Sequence, residues 1–107
     1  MSKLTIGLCV YDDFHGVYFT IQSIRMHHSE ILDRLEFVII NNNPKSEHGN
    51  EVHKFSQWVK EPLTYVEFDS YSATSLRHKI FELADTEYVM VMDCHVLLEN
   101  GCLEKLL

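Results

Sequence analysis

At 107 residues with 46% hydrophobic side chains, the chain suffices for one compact domain over 1–107 and is too short for two. Its 16 acidic against 9 basic residues give a formal charge of -7, which disfavours the broad cationic surface that a nucleic-acid groove needs. Cys9, Cys94 and Cys102 form neither a CxxC pair nor a disulfide-like framework, and no segment reaches the length of a membrane span or a secretory h-region, so the sequence reads as a soluble, cytoplasmic protein with reduced thiols.

In chain order, Leu4 to Tyr11 (LTIGLCVY) is a continuous apolar run without strict alternation, the pattern of a central parallel strand covered on both faces. A polar break from Asp12 to Gly16 follows, after which Val17, Ile21, Ile24 and His28 recur at helical spacing and predict a helix. Leu35 to Ile40 (LEFVII) is a second strand-like run, stopped by the loop-forming NNNPKSEHGN. Val52, Phe55 and Val59 mark a second, weaker helix closed off by Pro62. Leu63 to Phe68 (LTYVEF) reads as a shorter, more exposed third strand. From Asp69, DSYSATSLRHKIFELA offers capping hydroxyls and then Leu76, Ile80, Leu83 and Ala84 on one helical face. TEYVMVMD is a fourth strand, and a short helix closes the chain from Gly101 or Cys102.

Strands separated by helical patterns of this length imply βαβ crossovers. The expected fold is α/β, three-layer and Rossmann-like, with a mostly parallel sheet of about four strands. Ligands on such open sheets bind at the carboxyl ends of strands, where Tyr11, Asp12, Asn41, Asn42 and Asp93 fall. No GxGxxG follows the first strand and no GxxxxGK[ST] occurs, which argues against an ordinary dinucleotide dehydrogenase or P-loop NTPase. The strand ends carry carboxylates, amides and the triplet Asp93-Cys94-His95 instead, groups that suit a metal-assisted anion site.

The order and spacing of these pieces resemble the nucleotide-binding half of family-2 glycosyltransferases with the GT-A fold. The resemblance runs from LTIGLCVYDDFHGVYFTIQSI through FVIINNNP to SATSLRHKIFELADTEYVMVMDCHVLLENGCLEKL, essentially the whole chain. It implies that Val10, Tyr11 and Asp12 (or Asp13) sit at the strand end that packs and hydrogen-bonds the nucleoside. Asn41 stands where the family often has an aspartate that accepts from the uracil N–H, and an amide can both accept that proton and donate to a ring carbonyl. Arg77 matches the arginine facing the diphosphate, His78 replaces the customary asparagine, and Asp93 matches the first aspartate of D-x-D, sixteen residues after Arg77. His95 takes the place of the second. A diphosphate adds negative charge to an already acidic protein, so the resemblance implies a divalent cation. Residues two apart on an extended strand point the same way, letting Asp93 and His95 converge on it, and an imidazole ligand favours Mn²⁺ over Mg²⁺. The donor implied is a nucleoside-diphosphate sugar, UDP-linked.

Blander readings stand beside these. Asp93 can cap a turn and His95 can be a hydrogen-bonded core histidine; Arg77 can lie on a solvated helix face; the three asparagines can be turn chemistry. His27, His28, His48 and His53 lack chelating spacing and read as surface residues. Cys94 reads as a packed thiol, and Phe55 and Trp58 as core contacts.

A complete GT-A enzyme continues beyond the D-x-D into an acceptor half that supplies the catalytic base, and no residue here matches that base. The chain is then a fragment, a minimal nucleotide-sugar domain, or one part of an assembly that a partner subunit or second copy completes, and donor binding is better supported than transfer. The alternative is a degenerate, non-catalytic domain whose open sheet edge mediates oligomerisation. A phosphoacceptor built on Asp12, Asp13 and Asp69 ranks lower, because no lysine follows at the required place.

Overall fold

In the computed structural model, which describes residues 2–68, 73–94, 98 and 100–107, the first apolar run becomes the centre of the sheet. β1 (Leu4–Val10) pairs in parallel with β2 (Leu35–Asn41) on one side and with β4 (Tyr88–Met92) on the other. β3 (Leu63–Glu67) adds in parallel to the outside of β2, giving the order β3-β2-β1-β4. The sheet is therefore wholly parallel, as the unbroken apolar runs of its two inner strands require: a strand covered on both faces has no polar side to alternate with.

Two cores form, one on each face. Leu4, Ile6, Leu8 and Val10 of β1, with Leu35, Phe37 and Ile39 of β2, pack against Val17, Ile21 and Ile24 of α1 (Phe14–His27), Val52 and Phe55 of α2 (Glu47–Trp58) and Leu103 of α4 (Cys102–Leu106). The opposite face, built from Val38 and Ile40, is covered by Leu76 and Ile80 of α3 (Ala73–Leu83). Burying an aliphatic side chain of this size contributes about 1.5–3 kcal/mol, so Val17, Ile21 and Ile24 are enough to hold a helix whose first turn has no acidic residue. Asp13 starts that helix by accepting from the Gly16 N–H at 2.9 Å.

Sequence and structure differ in four places. α2 begins at Glu47, well before Val52, because Ser46 caps it by accepting from the Gly49 N–H at 2.9 Å; the segment NNNPKSEHGN is thus half loop and half helix. A 3₁₀ turn at Ser29–Arg34 joins α1 to β2 and tucks Ile31 into the larger core. His28 is not a surface residue: it is 1% exposed and its Nε2 donates to the Leu98 carbonyl at 3.3 Å. Trp58 is not a core contact either. It is 58% exposed, stacked on Phe55 and covered in part by the Arg25 guanidinium at 5.3 Å.

The chain runs outward from β1 to β3 through α1 and α2 on one face, then returns to the far side of β1 through α3 on the other. The direction of winding reverses between β1 and β4. In open α/β sheets the crevice at the carboxyl ends of such a strand pair is where ligands sit. No helix among the described residues is long and apolar enough to cross a membrane.

Candidate functional site

Val10, the last residue of β1, is buried, and its carbonyl accepts from the Asn42 N–H at 2.7 Å. It contributes packing and backbone to the crevice. Tyr11 follows with 60% of its surface exposed. Asp12 adopts φ 50°, a left-handed conformation that is uncommon outside glycine and best tolerated by Asn and Asp. Its carboxylate accepts from the His48 N–H, in the first turn of α2, at 3.3 Å. The positive end of the helix dipole suits a carboxylate there.

From the other side, α3 and the end of β4 deliver Arg77 and Asp93. Arg77 Nη2 lies 3.9 Å from Asp93 Oδ1, with the two side chains 61% and 84% exposed. A pair this long and this wet adds little to stability; both groups stand ready for a solvent-borne ligand. His78 points elsewhere, pairing with Glu82 along the helix at 3.2 Å.

Two thiols flank the crevice on opposite faces of the sheet, Cys9 toward α3 and Cys94 toward the larger core. Burial raises the Cys9 pKa, with Arg77 drawing it down and Asp93 pushing it up. Cys94 is pushed up to about 11, by burial first and then by the carboxylates of Asp13 and Asp93. It is a packed, protonated thiol at neutral pH, which fits no nucleophilic role. A thiol that keeps its proton to about 11 when folded but loses it near 9.0 when unfolded contributes stability that is complete below pH 9 and is lost as pH rises to 11. Tyr65, pushed up from 10.0 to about 12 mainly by burial, extends the same loss upward. Thermal unfolding followed between pH 8 and 12 should show a falling Tm from about pH 9, and Cys94→Ala should flatten the first part of that fall; an unchanged slope in the variant would contradict the assignment.

Asn41 ends β2 as the sequence predicts, but its side chain points inward. It is 0% exposed, and its Nδ2 donates to the Gly49 carbonyl at 2.9 Å and to the Tyr65 hydroxyl at 2.9 Å. Its Oδ1 accepts from the Asn43 N–H at 3.2 Å. Both amide hydrogens are therefore engaged by the protein. Asn42 and Asn43 close the same loop: Asn42 Nδ2 donates to the Phe68 carbonyl and Asn43 accepts from the Ser46 hydroxyl, each at 2.8 Å.

Of the residues that the sequence singles out, the structure brings Tyr11, Asp12, Arg77 and Asp93 to one end of the sheet. His95 and Asp69 lie outside the described residues. Among the described residues no three His, Cys, Asp or Glu side chains converge as a metal cage. Mg²⁺ and Mn²⁺ are commonly held by one or two carboxylates together with substrate phosphates and water, a set that the exposed carboxylate of Asp93 at the end of β4 fits. Sequence reasoning missed Gly49, His48 and Tyr65, which act on the site through backbone groups and one tyrosine hydroxyl. Residue-type patterns carry no signal for such contacts; the one hint was a glycine three residues after a serine, the spacing of a helix cap against a crowded backbone.

The family described as glycosyl transferase family 2 matches residues 5–107, from the second residue of β1 through the last helix. No curated protein matches the chain. A match over that span, on a wholly parallel four-stranded sheet, supports a glycosyltransferase-like function, and the chain belongs to glycosyl transferase family 2.

Proposed function

We propose that the crevice between β1 and β4 binds a nucleoside-diphosphate sugar, with UDP as the nucleotide, together with Mn²⁺ or Mg²⁺. The observation that carries this reading is the meeting of Arg77 and Asp93 at 3.9 Å on the carboxyl edge of the sheet. Their opposite charges suit the two halves of one ligand. The Arg77 guanidinium would donate in a planar fork to phosphate oxygens, while Asp93, with His95 two residues on in sequence, would hold the cation. Tyr11 offers an exposed ring to the base and Asp12 an acceptor to the ribose hydroxyls. The cation supplies Lewis-acid neutralisation of the diphosphate; the residues of the chain orient the donor and keep its charge balanced.

Calorimetric titration with UDP, GDP and UDP-glucose, each in Mn²⁺ and in EDTA, tests the reading. Binding of UDP and UDP-glucose that is lost in EDTA is the expected result. No binding of any nucleotide in either buffer would reject the donor site and favour a degenerate domain whose role is interaction.

A further inference from the structure

We propose that Asn41 is a positioning residue: from inside the protein it fixes the first turn of α2, and through that turn it sets Asp12 and Tyr11 in the crevice. The inference rests on the donor-site reading for its functional consequence, although the mechanical link stands apart from it. A primary amide has two hydrogens to give. Both of Asn41's go to protein partners, Gly49 on α2 and Tyr65 on β3, and no part of the residue reaches the surface. A base lying at the strand ends meets no donor from this side chain.

Asn41 instead acts on the loop that it begins. Gly49 sits so tightly that an added Cβ would overlap the Asn43 carbonyl oxygen and lie 2.8 Å from the Ser46 hydroxyl. The Gly49 N–H donates to Ser46, Ser46 donates to the Asn43 carbonyl, and the Asn43 N–H donates back to Asn41. The ring of bonds over residues 41–49 closes only through the Asn41 amide. One residue before Gly49, the His48 N–H holds the Asp12 carboxylate. That contact fixes a left-handed, non-glycine residue, a conformation that persists only where its surroundings determine it, and the reversal at Asp12 leaves Tyr11 outward on the crevice rim.

The same network explains why an amide stands where an acid would read uracil. A carboxylate at position 41 has no hydrogen for the Gly49 carbonyl, and it would compete with Glu67 for the proton that the Tyr65 hydroxyl donates at 2.9 Å. Asn41 is selected by its two acceptors, so discrimination between bases passes through other groups.

The test is amide exchange of the ligand-free protein, followed by titration. In Asn41→Ala the His48 amide should exchange about tenfold faster than in the parent, the scale of one lost hydrogen bond, while amides of β1 keep their protection. UDP, CDP and GDP should all weaken by a similar factor, and Asp12→Ala should cost less affinity in the Asn41→Ala background than in the parent, because the two act in series. If Asn41→Ala does not fold, the isosteric Asn41→Asp carries the same measurements. Unchanged His48 exchange, strict additivity with Asp12→Ala, or loss of UDP binding alone with GDP unaffected would each overturn the proposal, the last by showing direct base contact. A parent protein that binds no nucleotide rejects the donor-site reading, and the exchange result then still decides whether Asn41 holds α2.

Discussion

Asp93→Ala is expected to abolish the difference between nucleotide binding in Mn²⁺ and in EDTA while leaving the fold intact. The carboxylate is 84% exposed and pairs with Arg77 only at 3.9 Å, so its removal leaves no buried group unsatisfied and stability should stay within about 0.5 kcal/mol of the parent. The loss falls instead on the ligand. On the proposed reading the cation loses its strand-end anchor, and the diphosphate meets a chain that stays strongly acidic, from a parent charge of -7, with less to offset the repulsion. Arg77→Ala should behave differently: affinity drops about tenfold or more, the worth of a charge-assisted hydrogen bond to phosphate, and the residual binding still responds to EDTA. The two variants separate cation and anion recognition. Metal-dependent binding that survives in Asp93→Ala would remove Asp93 from the cation site.

Gly7→Ala should be strongly destabilising although it adds only one methyl. Gly7 lies mid-strand in β1, and a Cβ built on it would overlap Ile80 Cγ2 and sit 2.8 Å from Ile80 Cδ1. Ile80 is fully buried against Val38, Ile40 and Leu76, so it has no open space to rotate into, and α3 has to back away from the sheet. Overpacking of this kind costs about 1–3 kcal/mol. The displacement also reaches the crevice, because Arg77 stands one turn before Ile80 on the same helix. Chemical denaturation should show the loss, and UDP affinity should fall even where the variant is fully folded. Adding Ile80→Ala should recover part of the stability relative to the sum of the two single changes. Strict additivity of the two would mean that the close approach of α3 to β1 is not what the glycine permits.

The fold was legible because its strands announce themselves through burial on both faces. LTIGLCVY and LEFVII have no polar alternation, which leaves the middle of a parallel sheet as their only place, and the helical spacings between them supply the crossovers. What escaped was set by contacts rather than by pattern. The start of α2 hides in a segment rich in Asn, Pro and Gly, residues that argue for a loop until Ser46 is seen capping Gly49. His28 follows the apolar spacing of α1 faithfully and is buried for that reason, whereas Trp58, at the C-terminal end of α2, turns out toward Arg25. At the crevice, Arg77 and Asp93 could be paired from their separation along the chain. The inward turn of Asn41 could not be, because an amide ending a strand looks the same in sequence whether it faces a ligand or a neighbouring helix.

The placement of β4 has a kinetic consequence. Its ladder with β1 joins Leu4 to Tyr88 and Leu8 to Met92, so the crevice lies between the first and the last of the described strands in chain order. Among the ladders of the described strands this one has the widest sequence separation and bears the largest loop entropy. During synthesis, β1, β2 and β3 can associate while the ribosome still holds the remainder, yet the crevice does not exist until residue 92 has emerged and docked. The same order applies in reverse under stress. Detachment of β4, which pairs with a single neighbour among the described strands, dismantles the crevice and leaves the β1–β2–β3 ladders in place, so ligand affinity should fade at lower denaturant than the sheet itself.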